Sequence, residues 1–325
     1  MSTREDVLHA LTEADRSVSG EWLARKLNIT RSAVWKVIGQ LREEGYKIEA
    51  ATNRGYRLVI TPELITESEI RRSLKTKTIG TRMEIHKRLD STNTRAKTMA
   101  AAGAPHGYLV VADTQTAGRG RFGRTFFSPA STGLYMSYVL RPQIRPEKAV
   151  GITSIAAIAA ARAIEELADV EVMIKWVNDL YIAGKKVGGI LCEASMGIES
   201  RQLECVILGI GINTGRAEMP GELEDIATSI GNVTGKEISR SALIAGISNH
   251  LEELEGQLLT GEYIGECRRR SNVIGNIIQV IRGNERFEAL ARDIDEKGAL
   301  IVEKDGKTMR LDSGEISLKL IRRHG

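Results

Sequence analysis

The stretch Lys175-Trp176-Val177-Asn178-Asp179-Leu180-Tyr181-Ile182-Ala183-Gly184-Lys185-Lys186-Val187-Gly188-Gly189-Ile190-Leu191 decides the fold of the larger part of this chain. Strand-like runs over 180–183 and 186–194 flank Ala183-Gly184, which reads as a tight hairpin turn. Further apolar, β-branched runs cover 172–176 before it and 202–212 after it. Successive hairpins make antiparallel neighbours, whereas a doubly wound fold needs a helix between strands. The expectation is an α+β domain whose mixed or antiparallel sheet is covered by helices.

The same pattern extends upstream. Strands are expected over 85–89, 107–113 and 133–140. Thr66-Glu67-Ser68-Glu69 reads as a capping box opening a short helix through Leu74. Asp90-Ser91-Thr92-Asn93 reads as the start of a helix that runs to Ala102 and stops at Gly103. A long helix is expected from Pro146 to about Ala168, its alanines at 156, 157, 159, 160 and 161 suited to close packing on a sheet.

Outward from the sheet lies Gly118-Arg119-Gly120-Arg121-Phe122-Gly123-Arg124. Glycine permits close backbone approach, and arginine offers fork-shaped donors to carboxylate or phosphate. Such a loop suits an anion. It is not a P-loop, because arginine stands where lysine belongs and Phe126-Phe127-Ser128-Pro129 follows in place of a helix. Gly209-Ile210-Gly211 lacks the third glycine of a dinucleotide fingerprint. Three other clusters carry polar chemistry. Asp90 to Asn93 gathers hydroxyls, an amide and helix N–H groups. Lys175 to Leu180, with Lys185 and Lys186, places lysines beside a buried strand. Gly209 to Asn213 either lets a ligand approach the backbone or marks a strand bulge.

The first sixty residues read as a DNA-binding unit. Apolar residues at 7, 8 and 11, then at 22, 23 and 27, and then at 34, 37, 38 and 41 define three helices. Thr30 is the expected cap of the third and Gly45 its stop. Strands over 46–50 and 55–58, with a turn at 52–55, complete a winged helix. Arg31, Ser32, Trp35, Lys36 and Gln40 lie on or beside the expected major-groove face, and Arg54 at the wing tip. Pro62 ends the unit, so the expected division is 1–62, 63–270 and 271–325.

Composition fits this picture. A net charge of +4 permits nucleic-acid binding without demanding it. No run reaches the ~18 apolar residues of a membrane span. The N-terminus lacks the apolar core of a signal peptide. Cys192, Cys205 and Cys267 are few and far apart, which points to a reducing cytoplasm and no structural metal.

Together these residues closely resemble the biotin–protein ligase family, in the bacterial form that is also the biotin operon repressor. The resemblance rests on Asp90 to Asn93, Gln115, Gly118 to Arg124, Lys175-Trp176-x-Asn178-Asp179-Leu180, Lys186, Gly209 to Asn213 and Ala227-Thr228-Ser229-Ile230. In the tail it rests on Ile294-Asp295-x3-Gly298-Ala299-Leu300 and Ser313 to Leu318. Val177 stands where many relatives carry proline, and Phe126 where some carry tryptophan. Lipoate–protein ligases share the reaction type but lack the glycine–arginine run.

The resemblance implies a class II synthetase-like central sheet and a small SH3-like C-terminal barrel. It implies biotin and ATP as substrates, Mg2+, and biotinyl-5'-AMP as intermediate and co-repressor. Implied partners are the biotin carboxyl carrier protein of acetyl-CoA carboxylase, other biotin-dependent enzymes, operator DNA, and a second copy of the chain when liganded. Ser91, Thr92, Asn93, Gln115, Arg119, Gly120, Arg121 and Lys186 are the implied biotin site. Arg121, Phe126, Asn178 and Asn213 are the implied nucleotide site. Arg121, Lys186 and Asp179 are the implied catalytic set, with no protein metal site.

Overall fold

The computed structural model describes residues 3–14, 17–43, 46–51, 55–60, 65–145, 148–196, 203–216, 219–282, 285–312 and 315–318. The chain divides into two compact units, Met1–Leu64 and Ile65–Gly325.

The first unit holds helices α1 (Thr3–Thr12), α2 (Gly20–Lys26) and α3 (Arg31–Glu43) and strands β1 (Lys47–Ala51) and β2 (Gly55–Ile60). Ser19 caps α2 by accepting from the Trp22 N–H at 3.0 Å. Thr30 caps α3 by accepting from the Ala33 N–H at 3.1 Å, as the sequence led one to expect. Between them Asn28 turns the chain with φ 52°, a conformation asparagine tolerates. Val18 exchanges both backbone hydrogen bonds with Tyr56, at 2.8 and 2.7 Å, which ties the hairpin to the helices. Gly55 has no substitute there: its φ is +87°, and a Cβ would lie 2.1 Å from the Val18 carbonyl oxygen. Val7, Leu11, Leu23, Val34, Ile38 and Leu41 form the core with Tyr46 and Ile48. The expected stop at Gly45 and wing-tip Arg54 lie outside the described residues.

The second unit opens with α4 (Glu67–Ser73), β3 (Met83–Leu89), α5 (Thr92–Ala101), β4 (Tyr108–Gln115), β5 (Gly133–Leu140) and α6 (Ala149–Ala168). It continues with β6 (Met173–Lys175), β7 (Asp179–Ile182), β8 (Lys185–Met196), β9 (Leu203–Asn213), α7 (Ile230–Thr234), α8 (Arg240–Glu255), α9 (Gln257–Thr260) and α10 (Tyr263–Arg270). Seven strands form one sheet in the order β3-β4-β5-β9-β8-β7-β6. The β3–β4 pair, bridged by α5, is parallel, and every other pair is antiparallel. The sheet is therefore mixed, one of the two arrangements, mixed or antiparallel, that the hairpin run left open. Ala183 and Gly184 both have positive φ, which the two-residue turn between β7 and β8 requires.

One face of the sheet packs on α6 and α8, the other on α5. The alanines of α6 let α8 approach closely: a Cβ on Gly246 would meet Ala163 Cβ at 3.1 Å. Added volume at such a contact typically costs about 1–3 kcal/mol.

Several local expectations change. Helix α6 begins at Ala149, and Pro146 lies outside the described residues. Trp176 falls in the turn after β6, and its peptide to Val177 is cis. Thr66 does cap α4 by accepting from Glu69 N–H, but the Glu69 side chain accepts from Ser241 and does not close a box. The pairing of β9 shows no shift at 209–211, so there is no bulge there.

The tail forms a five-stranded antiparallel sheet of β10 (Ile277–Arg282), β11 (Glu285–Ile294), β12 (Leu300–Lys304), β13 (Lys307–Leu311) and β14 (Glu315–Leu318), ordered β13-β12-β11-β10-β14. Its buried residues join the main core. The Trp176 Nε1–H donates to Gly298 O at 2.9 Å, which latches the sheet to the β6–β7 turn.

Candidate active site

A cavity of about 510 Å³ opens over the ends of β8 and β9. Every residue assigned from the sequence to the biotin, nucleotide and catalytic sets lines it. They reach it from elements far apart in sequence, because the sheet order sets β5 beside β9 and β9 beside β8.

One end is a buried polar pocket. Ser91, Thr92 and Asn93, at the start of α5, are each less than 5 % exposed. Ser91 is the cap residue by position, yet its hydroxyl makes no cap hydrogen bond; Asp90 accepts from its N–H instead. Gln115 Oε1 accepts from Thr92 N–H at 2.8 Å and from its hydroxyl at 3.1 Å, while Gln115 Nε2 donates to Ser128 Oγ. Ser137 Oγ donates to Asn93 Oδ1 at 2.6 Å and lies 2.8 Å from Thr92 Oγ1. Asn93 Nδ2 donates to Glu193 Oε2 at 2.8 Å. Ser128, Ser137 and Glu193 escaped the sequence reading. Ser137 and Glu193 sit inside ordinary strand patterns, and only the sheet register turns them toward α5.

Burial pushes the Glu193 carboxyl up, but hydrogen bonds from Lys97 and Asn93 and the charge of Arg119 outweigh it. The group therefore stays below the ordinary carboxylate range. Lys97 Nζ is 2.7 Å away and Arg119 Nη2 3.7 Å.

The other end carries the cations. Arg121 Nη1 donates to Asn178 Oδ1 at 2.8 Å. Lys186 Nζ donates to Asp179 Oδ1 at 2.7 Å, so the lysine beside the buried strand is held by a carboxylate across the hairpin. Asn178 is fixed in turn, its Nδ2 donating to Ile190 O. Asn213 Nδ2 donates to Thr228 O. The loop itself is folded back: Gly120 N–H donates to Arg124 O at 2.7 Å, and Phe126 N–H to Gly118 O at 2.9 Å. That occupies the N–H of Gly120, a residue of the biotin site implied by the resemblance.

Phe126 stands edge-on to Tyr135 with ring centroids 6.3 Å apart. A Cβ on Gly211 would lie 2.7 Å from the Phe126 ring, and one on Gly209 2.1 Å from Asn93 Oδ1. These glycines make room for two side chains of the site. The far rim includes Tyr181, whose hydroxyl burial pushes up to about 12, together with Lys175, Ile226 and, from β14, Ile316. Ile316 lies in the Ser313 to Leu318 run that carries the resemblance, but its place on the rim was not read from it. Among the described residues, no group of three or more His, Cys, Asp or Glu side chains is placed to hold a metal ion.

In the first unit Arg31, Ser32, Trp35, Lys36 and Gln40 are all exposed on α3. Trp35 is 72 % exposed, on a helix whose opposite side carries buried Val34, Val37, Ile38 and Leu41. Among the described residues, no helix is long and apolar enough to cross a membrane.

A polar pocket joined to a cationic loop suits an enzyme that activates an acid with a nucleotide. Residues 85–213 match the Biotin/lipoate A/B protein ligase family, 273–319 the Biotin protein ligase C terminal domain and 3–57 an HTH domain. The chain is 38 % identical over 323 residues to the bifunctional ligase/repressor BirA of Bacillus subtilis (strain 168), covering 97 % of this chain and 98 % of that protein. It is 30 % identical over 308 residues to the bifunctional ligase/repressor BirA of Escherichia coli (strain K12), covering 93 % and 92 %. The structure is similar to that of biotin protein ligase from Aquifex aeolicus in complex with biotin and ATP, with a TM-score of 0.65 and 28 % identity over 74 % of this chain and 99 % of that one. The chain belongs to the family of bifunctional biotin–protein ligases and repressors.

Proposed function

We propose that this chain joins biotin to ATP, passes biotin to a lysine of the biotin carboxyl carrier protein of acetyl-CoA carboxylase or of another biotin-dependent enzyme, and represses the biotin operon with biotinyl-5'-AMP as co-repressor. The observation that carries the reading is the cavity that puts a buried polar pocket next to Arg121 and Lys186.

In the first step a biotin carboxylate oxygen bonds to the α-phosphorus of ATP, and the bond to the β-phosphate oxygen breaks with loss of pyrophosphate. Two anions meet, so fixed cations stabilise the approach and the developing charge. Arg121 and Lys186, held by Asn178 and Asp179, supply that charge. Ser91, Thr92, Asn93 and Gln115 hold the head group, while Arg119 and Gly120 close the loop over it. Phe126 packs on the nucleotide, which Asn178 and Asn213 also contact. Mg2+ would neutralise the phosphates. Asp179 is already bonded to Lys186, so this donor set fits an ion carried mainly on phosphate oxygens. In the second step the neutral acceptor amine attacks the acyl carbon, AMP leaves with the electron pair, and the amine loses a proton. Closure of the loop keeps water from the mixed anhydride.

For repression, α3 reads the operator through Arg31, Ser32, Trp35, Lys36 and Gln40, with Arg54 on the wing. The adenylate favours a homodimer that matches two half-sites. Cytoplasmic location and division at residues 62 and 270 belong to the same reading.

ATP–pyrophosphate exchange tests it. Exchange that depends on biotin and not on lipoate is the expected result. A folded protein that binds biotin yet shows no exchange would overturn the ligase roles of Arg121 and Lys186.

A further inference from the structure

Glu193 does not line the cavity, yet three elements converge on it: Asn93 and Lys97 from α5, Arg119 from the loop, and β8, which carries it. Its Oε2 faces Asn93 and its Oε1 faces Lys97. A carboxylate only accepts, and an ammonium only donates. Asn93 is therefore compelled to turn its NH2 to Glu193 and its oxygen to Ser137. Ser137 has one hydroxyl hydrogen, which goes to that oxygen at 2.6 Å. Thr92 gives its own hydrogen to Gln115 Oε1 at 3.1 Å, so its oxygen, 2.8 Å from Ser137, is the second acceptor that competes for the Ser137 hydrogen. The orientations of the Asn93 amide and the Ser137 hydroxyl are thus set from Glu193.

We propose that Glu193 is a positioning residue that fixes the donor and acceptor polarity of Asn93 and Ser137, and so the pattern the pocket shows to a substrate head group. The inference rests on the reading of the pocket as the biotin head-group site. Asn93 and Thr92 line the cavity; Ser137, wholly buried behind them, transmits the orientation.

Glu193→Gln has a definite consequence. Lys97 cannot accept, so the new amide turns its oxygen to Lys97 and its NH2 to Asn93. Asn93 must then flip, its NH2 faces Ser137, and the Ser137 hydrogen swings to Thr92. Asn93 and Ser137 reverse without loss of volume. Lys97→Met added to Glu193→Gln removes the nearer donor at 2.7 Å and leaves only the Arg119 guanidinium, 3.7 Å from the same oxygen, so the new amide can turn its oxygen back to Asn93.

Calorimetric titration of biotin into the full chain without ATP reads this directly. Glu193→Gln is expected to weaken biotin about ten- to a hundredfold, as mismatched buried polar groups do. Lys97→Met alone should stay within about threefold, the scale of one exposed ion pair. The double variant should recover a clear part of the loss, and the KM for ATP in the exchange assay should stay near that of the parent in all three. A merely structural role predicts that the double variant is worse than either single one. Glu193→Gln binding biotin like the parent, or a double variant no better than Glu193→Gln, would overturn the inference. If Glu193→Gln does not fold, Ser137→Ala interrupts the same run, and unchanged biotin affinity there would overturn it equally. A parent chain that takes up no biotin would sink the head-group reading itself, an outcome separate from the others.

Discussion

The two units place function in opposite ways. In the first, the α3 residues proposed to read DNA lie within ten positions of one another and are exposed. In the second, the site gathers residues from Ser91 to Ile316 into one concavity, and its use depends on burial. A surface of the first kind needs only that its helix forms. A cavity of the second kind needs the sheet order, the packing of α5 and the latch from the C-terminal sheet. Each surface side chain acts nearly alone, whereas each cavity side chain acts through partners.

The sharpest break of this contrast comes from Arg121→Ala. Losing one charge aimed at a developing anion should lower biotin-dependent exchange by about 10²–10³. Folding by circular dichroism and the intrinsic DNA affinity of the first unit should not change. Exchange within tenfold of the parent would mean that the loop's other cations are interchangeable.

Lys36→Ala probes the opposite side. Operator affinity, measured with biotinyl-5'-AMP present, should fall uniformly across operator sequences, and the slope of log K against log salt should shrink by about 1. Biotin-dependent exchange should match that of the parent. A change in exchange would show that the units are energetically coupled through α3.

The smallest effect concerns the frame that carries the site. Glu252 on α8 accepts from the backbone N–H groups of Lys77, Thr78 and Ile79, at 2.8, 2.7 and 3.0 Å. Burial raises its carboxyl, but these bonds outweigh burial and hold it below the ordinary value of 4.5. Because the folded value is depressed, the stabilisation is complete above that ordinary value and fades as pH falls through the folded one. Glu252→Gln should therefore lower Tm by a few degrees near neutrality and flatten its fall toward acid pH. An unchanged acid slope would rule the clamp out as a source of acid sensitivity.

Much of the site was legible beforehand because its chemistry is concentrated in short runs. The glycine–arginine loop and the Asp90 to Asn93 start of α5 declare themselves by residue type, and both line the cavity. Gly209 and Gly211 were legible as unusual but not as to purpose. Their missing side chains leave room for Asn93 and Phe126, and nothing local distinguishes that from contact with a ligand. Ser137 and Glu193 were not legible at all, since a serine or glutamate in a strand is commonplace until its neighbours are known.

The sequence by itself determined the helices and hairpin of the first unit, the strands of a mixed or antiparallel sheet and the chemical character of the site, but not α7 to α10 or the parallel β3–β4 pair. Period, turn residues and clustered arginines are properties of adjacent positions. Tertiary structure alone decided that Lys186 pairs with Asp179, that Arg121 rests on Asn178, and that Glu193 stands behind Asn93. The first pair needs the β7–β8 register, the second the fold-back of the loop, and the third the packing of α5 on β5 and β9 together with the β8–β9 register. Polarity in the pocket follows from those distances, because a hydrogen bond forms only within about 3 Å and along a set direction.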